Sequence, residues 1–85
     1  MPYFVYILRS EKDGTFYVGH TEDLEGRLKR HNQGRSLYTK GRIPWRLIYH
    51  EIFESRGKAM KREQEIKSKK DRAYLTQLLR TSPGQ

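Results

Sequence analysis

A chain of 85 residues is long enough for one small domain, which excludes an enzyme that carries a separate lid or cofactor domain. Its lack of cysteine excludes disulfides and thiolate zinc sites, and it has no apolar run of the roughly 20 residues that span a membrane. Eighteen Lys and Arg residues against ten Asp and Glu residues give a formal net charge of +8, which favours a polyanionic partner, nucleic acid above all. We therefore expect a cytoplasmic protein that binds nucleic acid and not membranes.

Three segments have the composition of β-strands. Residues 3–8 and 16–19 are short, aromatic and β-branched, and residues 45–53 form a longer apolar run. Because apolar side chains alternate onto both faces of this last run, we expect it to be covered on both sides and to be the central strand. One face would carry Leu47, Tyr49 and Phe53, and the other Ile48 and Ile52.

The Asp13-Gly14 pair between the first two strands is typical of a two-residue hairpin turn. Such a turn predicts a register in which Ser10 lies opposite Tyr17. In that register Tyr6 and Tyr17 share one face of the hairpin.

Capping residues and apolar spacing predict three helices. The first is capped by Thr21 and ends at residues 32–34, the second runs from Ser55 to about Lys69, and the third is capped by Asp71. The apolar stripe of the third helix consists of Tyr74, Leu75, Leu78 and Leu79.

Strands followed by helices indicate an α+β domain with a small antiparallel sheet. We expect this single domain to span residues 1–80, and residues 81–85 to form a disordered tail. Any functional site must therefore be built on one sheet and its helices.

Charged side chains on the apolar faces of two helices need a partner or a function. Arg27 and His31 fall within the apolar arc of the first helix, and Glu63 is the only acid on the apolar face of the second. One interpretation is a structural ion pair between Glu63 and Arg27 at the edge of the core. The other is a catalytic site that combines a carboxylate for a metal, a guanidinium for a phosphate and tyrosine hydroxyls. His20 and His50 have no comparable placement, and we expect them to be surface or strand residues.

The stretch from Gly26 to His50 contains many cations and no acid, which predicts contact with a phosphate backbone. Trp45 and Tyr38 could stack on bases there, although both are more simply explained as core or sheet-face residues. The candidate nucleic-acid-binding residues of this stretch are Lys29, Arg30, Arg35, Lys40, Arg42 and Arg46.

Four short motifs follow one another along residues 3–70. They are Phe4-Val5-Tyr6, Tyr17-Val18-Gly19, Thr21-x-Asp23-Leu24-x-x-Arg27-Leu28-x-x-His31-Asn32 and Ala59-x-x-x-Glu63-x-x-Ile66-Lys67. Their order and spacing resemble the GIY-YIG nuclease superfamily, in particular its small single-domain bacterial members of the YhbQ and YazA type. Phe4 departs from the first glycine of the family motif, at a position on the strand rather than among the reacting groups.

The resemblance implies a three-stranded antiparallel sheet flanked by helices, and one-metal hydrolysis of DNA phosphodiester bonds in repair or processing. It implies that Glu63 holds Mg²⁺ or Mn²⁺ mainly when substrate is bound, and that Arg27 neutralises the scissile phosphate. Tyr6, Tyr17 and His31 would position or activate water. Because an unperturbed tyrosine has a pKa of about 10 and is a poor base at neutral pH, the general base stays open between Tyr6 and His31.

Two other functions are compatible with the same residues. The first is a non-catalytic nucleic-acid-binding module, which the net charge of +8 supports equally well. The second is a subunit that depends on a protein partner for specificity, because members of the family usually carry an additional DNA-binding domain. The resemblance favours DNA over RNA.

Overall fold

The computed structural model describes residues 2–69 and 71–81, without the side chains of residues 72 and 81. Its elements are β1 (Tyr3–Ser10), β2 (Phe16–Thr21), α1 (Leu24–Asn32), β3 (Trp45–Phe53), α2 (Arg56–Ser68) and α3 (Arg72–Thr81). A single 3-10 turn, Lys40–Arg42, lies in the loop between α1 and β3. The predicted α+β class with a three-stranded antiparallel sheet is confirmed.

The last helix, α3, ends at Thr81, which is also the last residue that the structure describes. The tail predicted for residues 81–85 begins at Thr81, which is the last residue of α3, and its other residues lie outside the described part. In the part that is described, no helix combines the length and the apolar character needed to cross a membrane.

The central strand of the sheet is β1, because the strand order is β2-β1-β3. The prediction that β3 is central is therefore wrong. Val5, Ile7 and Leu8 of β1 are fully buried, whereas Ile52 of β3 is 63% exposed. Helices pack on both faces of β1, with α2 and α3 on one side and α1 on the other. An edge strand can show the same alternation of apolar residues while leaving some of them in solvent, which is the case for β3.

The hairpin between β1 and β2 has a longer loop than predicted. Tyr17 pairs with Leu8 and not with Ser10. Ser10 closes the loop instead, because its backbone N–H donates to the carbonyl of Thr15 at 2.8 Å. A shift of two residues leaves every side chain on its predicted face. The prediction that Tyr6 and Tyr17 share a face is confirmed, with their ring centroids 6.2 Å apart.

A β-bulge at Ile48 changes which residues of β3 share a face. Tyr49 pairs with Ile7 and Leu47 pairs with Leu8, so Ile48 has no partner on β1. Leu47 and Tyr49 consequently lie on opposite faces, and the prediction that they share one is wrong. Tyr49 packs in the cluster beneath α2 and α3, and Leu47 packs in the cluster beneath α1.

The first helix begins later than predicted. Its cap is Asp23, whose side-chain Oδ1 accepts a hydrogen bond from the backbone N–H of Gly26 at 3.0 Å. Thr21, the predicted cap, is the last residue of β2, and its hydroxyl accepts from the N–H of Asp23 at 3.0 Å. Thr21 thus shapes the turn from strand to helix, while Asp23 satisfies the free N–H group of the first turn.

The caps and buried faces predicted for α2 and α3 are confirmed. The Ser55 hydroxyl accepts from the N–H of Lys58 at 3.2 Å, and the Asp71 carboxylate accepts from the N–H of Tyr74 at 2.7 Å. The buried residues described on these helices are Ala59, Glu63 and Ile66 from α2 and Leu75 from α3.

The Asn32 side chain joins the end of α1 to the start of β3. Its Oδ1 accepts from the backbone N–H of Trp45 at 2.6 Å, and its Nδ2 donates to the carbonyl of Trp45 at 3.0 Å. Trp45 is 3% exposed, and its indole N–H donates to the carbonyl of Thr39 at 2.9 Å. The loop between α1 and β3 is therefore fixed at both ends and near its middle.

Replacing Asn32 by Ala should lower the free energy of unfolding by about 1–3 kcal/mol, because both polar backbone groups of Trp45 lose a partly buried partner. Urea denaturation followed by tryptophan fluorescence measures this difference. The neighbouring exposed residue Gln33 supplies the control, since Gln33→Ala should change stability by no more than about 0.5 kcal/mol. Equal effects of the two substitutions would contradict the assigned role.

Candidate functional site

The predicted residues Tyr6 and His31 meet in the interior, on the side of the sheet that α1 covers. Both side chains are 2% exposed, and the Tyr6 hydroxyl lies 3.2 Å from Nε2 of His31. The other ring nitrogen, Nδ1, lies 2.8 Å from the hydroxyl of Thr39, which is fully buried. The imidazole therefore connects the central strand to the loop that follows α1.

The ionisation of these two groups is set mainly by burial. Burial, with a smaller effect from Tyr17, raises the pKa of Tyr6 far above its ordinary value, although Arg27 opposes the change. Burial also lowers the pKa of His31 from its ordinary value of 6.5, and the positive charges of Arg27 and Arg30 lower it further. At neutral pH the pair consists of a protonated phenol and a neutral imidazole.

These protonation states define the direction of the hydrogen bonds. We assign the imidazole the tautomer with its proton on Nδ1, which donates to the Thr39 hydroxyl. Nε2 is then free to accept from the Tyr6 hydroxyl. His31 thus presents a basic nitrogen to Tyr6.

Tyr17 forms the outer wall of this cluster. Its ring meets the His31 ring edge to face at a centroid distance of 4.9 Å, and it also contacts the rings of Tyr38 and Trp45 at 5.8 and 6.2 Å. Trp45 is buried, so it cannot act as the base-stacking residue that the sequence allowed, whereas Tyr38 is 67% exposed. The expectation that Tyr38 belongs to the core or a sheet face is therefore wrong.

Gly19 lets the Tyr6 hydroxyl approach the edge strand β2. A Cβ atom at Gly19 would lie 2.7 Å from the Tyr6 oxygen, 2.8 Å from its Cζ and 3.2 Å from Cε2 of Tyr17. Contacts this short are far inside ordinary carbon and oxygen radii, so any side chain at residue 19 would displace Tyr6 or Tyr17.

Arg27 lies one turn before His31 on α1 and is half-buried. It lines a cleft of about 270 Å³ at the ends of β1 and β2. The cleft also brings in Arg56, the first residue of α2, so two guanidinium groups face the same space. Its remaining lining residues are Tyr3, His20, Thr21, Glu22 and Asp23.

Glu63 lies on the other side of the sheet and is held by two cationic or hydrogen-bonding side chains. His20 Nδ1 donates to its Oε1 at 2.5 Å, and Lys67 Nζ donates to its Oε2 at 2.6 Å. Burial acts to raise the pKa of the Glu63 carboxyl, but the hydrogen bonds from Lys67 and His20 outweigh burial and hold the pKa below its ordinary value. Glu63 is therefore a buried carboxylate that stays ionised at neutral pH.

The two halves of the site meet at β2. Successive strand residues point to opposite faces, so Gly19 opens toward Tyr6 while His20 turns toward Glu63. The Glu63 carboxylate lies close enough to the Tyr6 hydroxyl for its negative charge to contribute to the raised pKa of Tyr6. The predicted catalytic residues thus lie around one edge strand, on both of its faces.

The ion pair between Glu63 and Arg27 that the sequence allowed does not form among the described residues. His20, which lies on strand β2 as expected, takes the place of Arg27 as the partner of Glu63, a contact that was not predicted. The sequence contains a signal for the contact between His20 and Glu63. Side chains alternate along a strand, so His20 lies on the same face as Val18, which packs against α2. Thr39 was not anticipated, and no local pattern marks a buried loop threonine.

The six candidate nucleic-acid-binding cations are all exposed, but they do not share one surface. Lys29, Arg30, Arg35 and Lys40 lie on the second half of α1 and the loop beside it. Arg42 pairs with Asp13 at 3.0 Å, which offsets part of its charge. Arg46 lies beside Arg9 on the sheet face opposite to Tyr6.

The described residues contain no cluster of three or more His, Cys, Asp or Glu side chains that could hold a metal ion. A metal ion at Glu63 would therefore need further ligands from substrate or water. Each carboxylate oxygen has two lone-pair positions, and each Glu63 oxygen uses one of them. Mg²⁺ often binds proteins through one or two carboxylates while phosphate and water complete its shell. An ionised, partly engaged Glu63 fits such a site.

Residues 2–75 match the family described as the GIY-YIG catalytic domain, and this chain belongs to that family. The chain is similar to the UPF0213 protein SSP2268 of Staphylococcus saprophyticus, with 43% identity over 67 residues, 78% of this chain and 80% of that protein. A UPF0213 protein of Staphylococcus aureus strain Mu3 shows the same identity and the same coverage of both chains. These relatives support the resemblance to small bacterial members of the family.

A solved structure supports the same conclusion about the fold. The solution NMR structure of the UPF0213 protein BH0048 from Bacillus halodurans is 39% identical, with a TM-score of 0.62. The alignment covers 99% of this chain and 88% of that chain. The family is one of nucleases, which are generally metal-dependent and act on nucleic acid.

Replacing Gly19 by Ala should lower the free energy of unfolding by about 1–3 kcal/mol, because the new methyl group overlaps the Tyr6 side chain. Urea denaturation gives the value. Gly57 in α2 is the matched control, since a Cβ there meets no atom within 4 Å and Gly57→Ala should stabilise the helix by about 0.5–1 kcal/mol. If Gly19→Ala is as stable as the wild type, the close contact assigned between residue 19 and the Tyr6 side chain is contradicted.

Protein stability should fall as the pH drops through 6.5, by up to about 1.4 kcal/mol per pH unit. The reason is that the unfolded chain then protonates residue 31, while the folded protein keeps it neutral because its pKa is lowered. Free energies of unfolding of the wild type and His31→Gln, measured between pH 7.5 and 5, test this. The difference between them should narrow with decreasing pH, and parallel curves would contradict the assignment of a neutral His31.

Proposed function

We propose that this protein is a metal-dependent endonuclease that hydrolyses phosphodiester bonds in DNA, in DNA repair or processing. The observation that carries the proposal is the position of the Tyr6 hydroxyl. It hydrogen-bonds to a neutral His31 and lies within electrostatic reach of both Arg27 and Glu63. Hydrolysis of a phosphodiester needs a proton acceptor, a cation for the phosphate and a carboxylate for a metal, and these side chains supply all of them.

His31 is the general base of the proposed reaction, and Tyr6 passes the proton to it. A direct role for the Tyr6 phenolate is disfavoured because burial raises the pKa of Tyr6. The neutral imidazole, in contrast, has Nε2 facing the Tyr6 hydroxyl at 3.2 Å. As water attacks phosphorus, its proton moves to the Tyr6 oxygen while the phenolic proton moves to Nε2. The Thr39 hydroxyl holds the ring in the required tautomer.

Arg27 binds and orients the phosphate in this mechanism. It lines the open cleft between β2 and α1, and no carboxylate of the described residues forms a salt bridge with it. A guanidinium matches two phosphate oxygens at once and cannot lose its proton under physiological conditions. Arg56 in the same cleft adds a second cation for the adjoining backbone.

Glu63 would hold the divalent metal, for which we propose Mg²⁺ or Mn²⁺. When bound, the ion would supply charge neutralisation on the phosphate oxygens and on the leaving oxygen. His20 and Lys67 keep the Glu63 carboxylate ionised and fix its orientation before substrate arrives. The small number of protein ligands agrees with a metal that binds mainly together with the substrate phosphate.

The second candidate function is a nucleic-acid-binding module without catalysis. It is favoured by the two contacts of Glu63, because a carboxylate bridged by His20 and Lys67 can serve as a purely structural ion pair. Exposed cations on α1 and its loop would then account for binding alone. Both candidates predict affinity that falls steeply with salt, so cleavage must decide between them.

Glu63→Gln should reduce cleavage by at least about 100-fold, because it removes the charge that binds the metal. The wild type and the variant are incubated with Mg²⁺ and a labelled panel of single-stranded, duplex, flapped and branched DNA, with EDTA as a metal-free control. Glu65→Gln is the matched variant, since it makes the same change in charge at an exposed position of α2. It should cleave like the wild type.

The folded state of each variant is checked by urea denaturation, since loss of a buried ion-pair partner can cost about 3–5 kcal/mol. Cleavage by folded Glu63→Gln at the wild-type rate would refute the assigned metal site. Salt-sensitive binding of every DNA without cleavage by the wild type would instead support the non-catalytic module.

A further inference from the structure

The loop between α1 and β3 exposes two large apolar side chains at its tip. Leu37 is 84% exposed and Tyr38 is 67% exposed, although both belong to residue types that are usually at least partly buried. Adjacent apolar residues in solvent, next to a proposed active site, indicate a surface that binds something. The question is which partner fits it.

The tip is anchored by hydrogen bonds of the residues that follow it in the chain. The next residue, Thr39, is fully buried and bonds through its hydroxyl to His31 and through its carbonyl to the indole of Trp45. The N–H groups of Thr39 and Lys40 both donate to the carbonyl of Ser36, at 3.2 and 3.0 Å. A side chain presented on an anchored turn loses little conformational entropy on binding.

The Tyr38 ring is continuous with the proposed active site. It contacts the Tyr17 ring at 5.8 Å, and Tyr17 in turn contacts His31 at 4.9 Å. Tyr38 therefore lies two ring contacts from the imidazole, and a planar group stacked on Tyr38 would lie three ring contacts from it. Tyr38 is the most exposed aromatic side chain of this cluster, because Trp45 and Tyr6 are buried and Tyr17 is half-buried.

The charge around the tip selects a nucleic acid as the partner. Arg35 and Lys40 flank it and are exposed, and residues 26–50 contain no acid. Bases stack on aromatic side chains while cations contact the neighbouring phosphates, which is the usual combination in single-strand binding. Within a duplex, each base is already covered above and below by its neighbours, so only an unpaired or terminal base can offer its face to Tyr38.

We propose that Tyr38, supported by Leu37, stacks on an unpaired base next to the bond that is cleaved. The substrate class is then DNA with a strand discontinuity or unpaired nucleotide, such as a gap, a flap or a loop, rather than continuous duplex. This inference rests on the proposed function for the location of the bond that is cleaved. The stacking itself requires no catalysis.

The test measures binding in EDTA, where no cleavage occurs. The probe is a DNA duplex that carries a single unpaired 2-aminopurine, whose fluorescence is quenched by stacking, and the reference is the same duplex fully paired. Wild type and Tyr38→Phe should quench the unpaired base. Tyr38→Ala should lose the quenching and bind the probe about 5-fold to 100-fold more weakly, while its affinity for the paired duplex changes less than about 2-fold.

Ile52→Ala is the matched control, because Ile52 is an equally exposed apolar residue at the far end of β3, 63% in solvent. It should quench and bind like the wild type. The proposal would be overturned if Tyr38→Ala weakened binding to the paired and the unpaired DNA equally. It would also be overturned if Tyr38→Ala left binding and quenching unchanged, and the exposed tip would then be explained better by a protein partner. If Glu63→Gln cleaves normally while Tyr38-dependent quenching persists, the catalytic assignment fails and the stacking site stands.

Discussion

The buried imidazole of His31 connects the central strand, the first helix and the loop that follows this helix. One nitrogen faces Tyr6 on the central strand, the other faces Thr39 in the loop, and the ring itself is carried by α1. Burial keeps it neutral, which allows one nitrogen to donate and the other to accept. A charged imidazole could not accept a proton from Tyr6, so the proposed role of His31 as the base depends on this protonation state.

The acid half of the site follows a different physical rule. Glu63 is buried and charged, a combination that is costly unless partners compensate for the lost water. His20 and Lys67 provide that compensation from an edge strand and from the next turn of the same helix. The protein thus keeps a carboxylate ionised beside a cleft that contains guanidinium groups. Gly19, on the strand between the two halves of the site, leaves room for the Tyr6 hydroxyl.

Predictions from the sequence succeeded where the structure depends on neighbours along the chain. The buried face of α2, with Glu63 on it, follows from helical periodicity and is confirmed. The pairing of strands was less accurate. The loop that Ser10 closes shifted the pairing of β1 with β2 by two residues, so each side chain kept its predicted face of the sheet. The bulge at Ile48 inserted one residue into β3, so side chains on its two sides that were predicted to share a face lie on opposite faces. A pattern of period two survives the first change and not the second.

By itself, the sequence determined the class of fold, the helical faces and most of the residues of the candidate site, because these depend on local periodicity, capping and ordered motifs. Only the tertiary structure decided which of those residues touch. It paired Glu63 with His20 rather than Arg27, buried Trp45 while exposing Tyr38, and placed Thr39 behind His31. Such contacts join residues distant in sequence, and they form only when the strand order, the bulge and the loop anchors together bring those residues into one place.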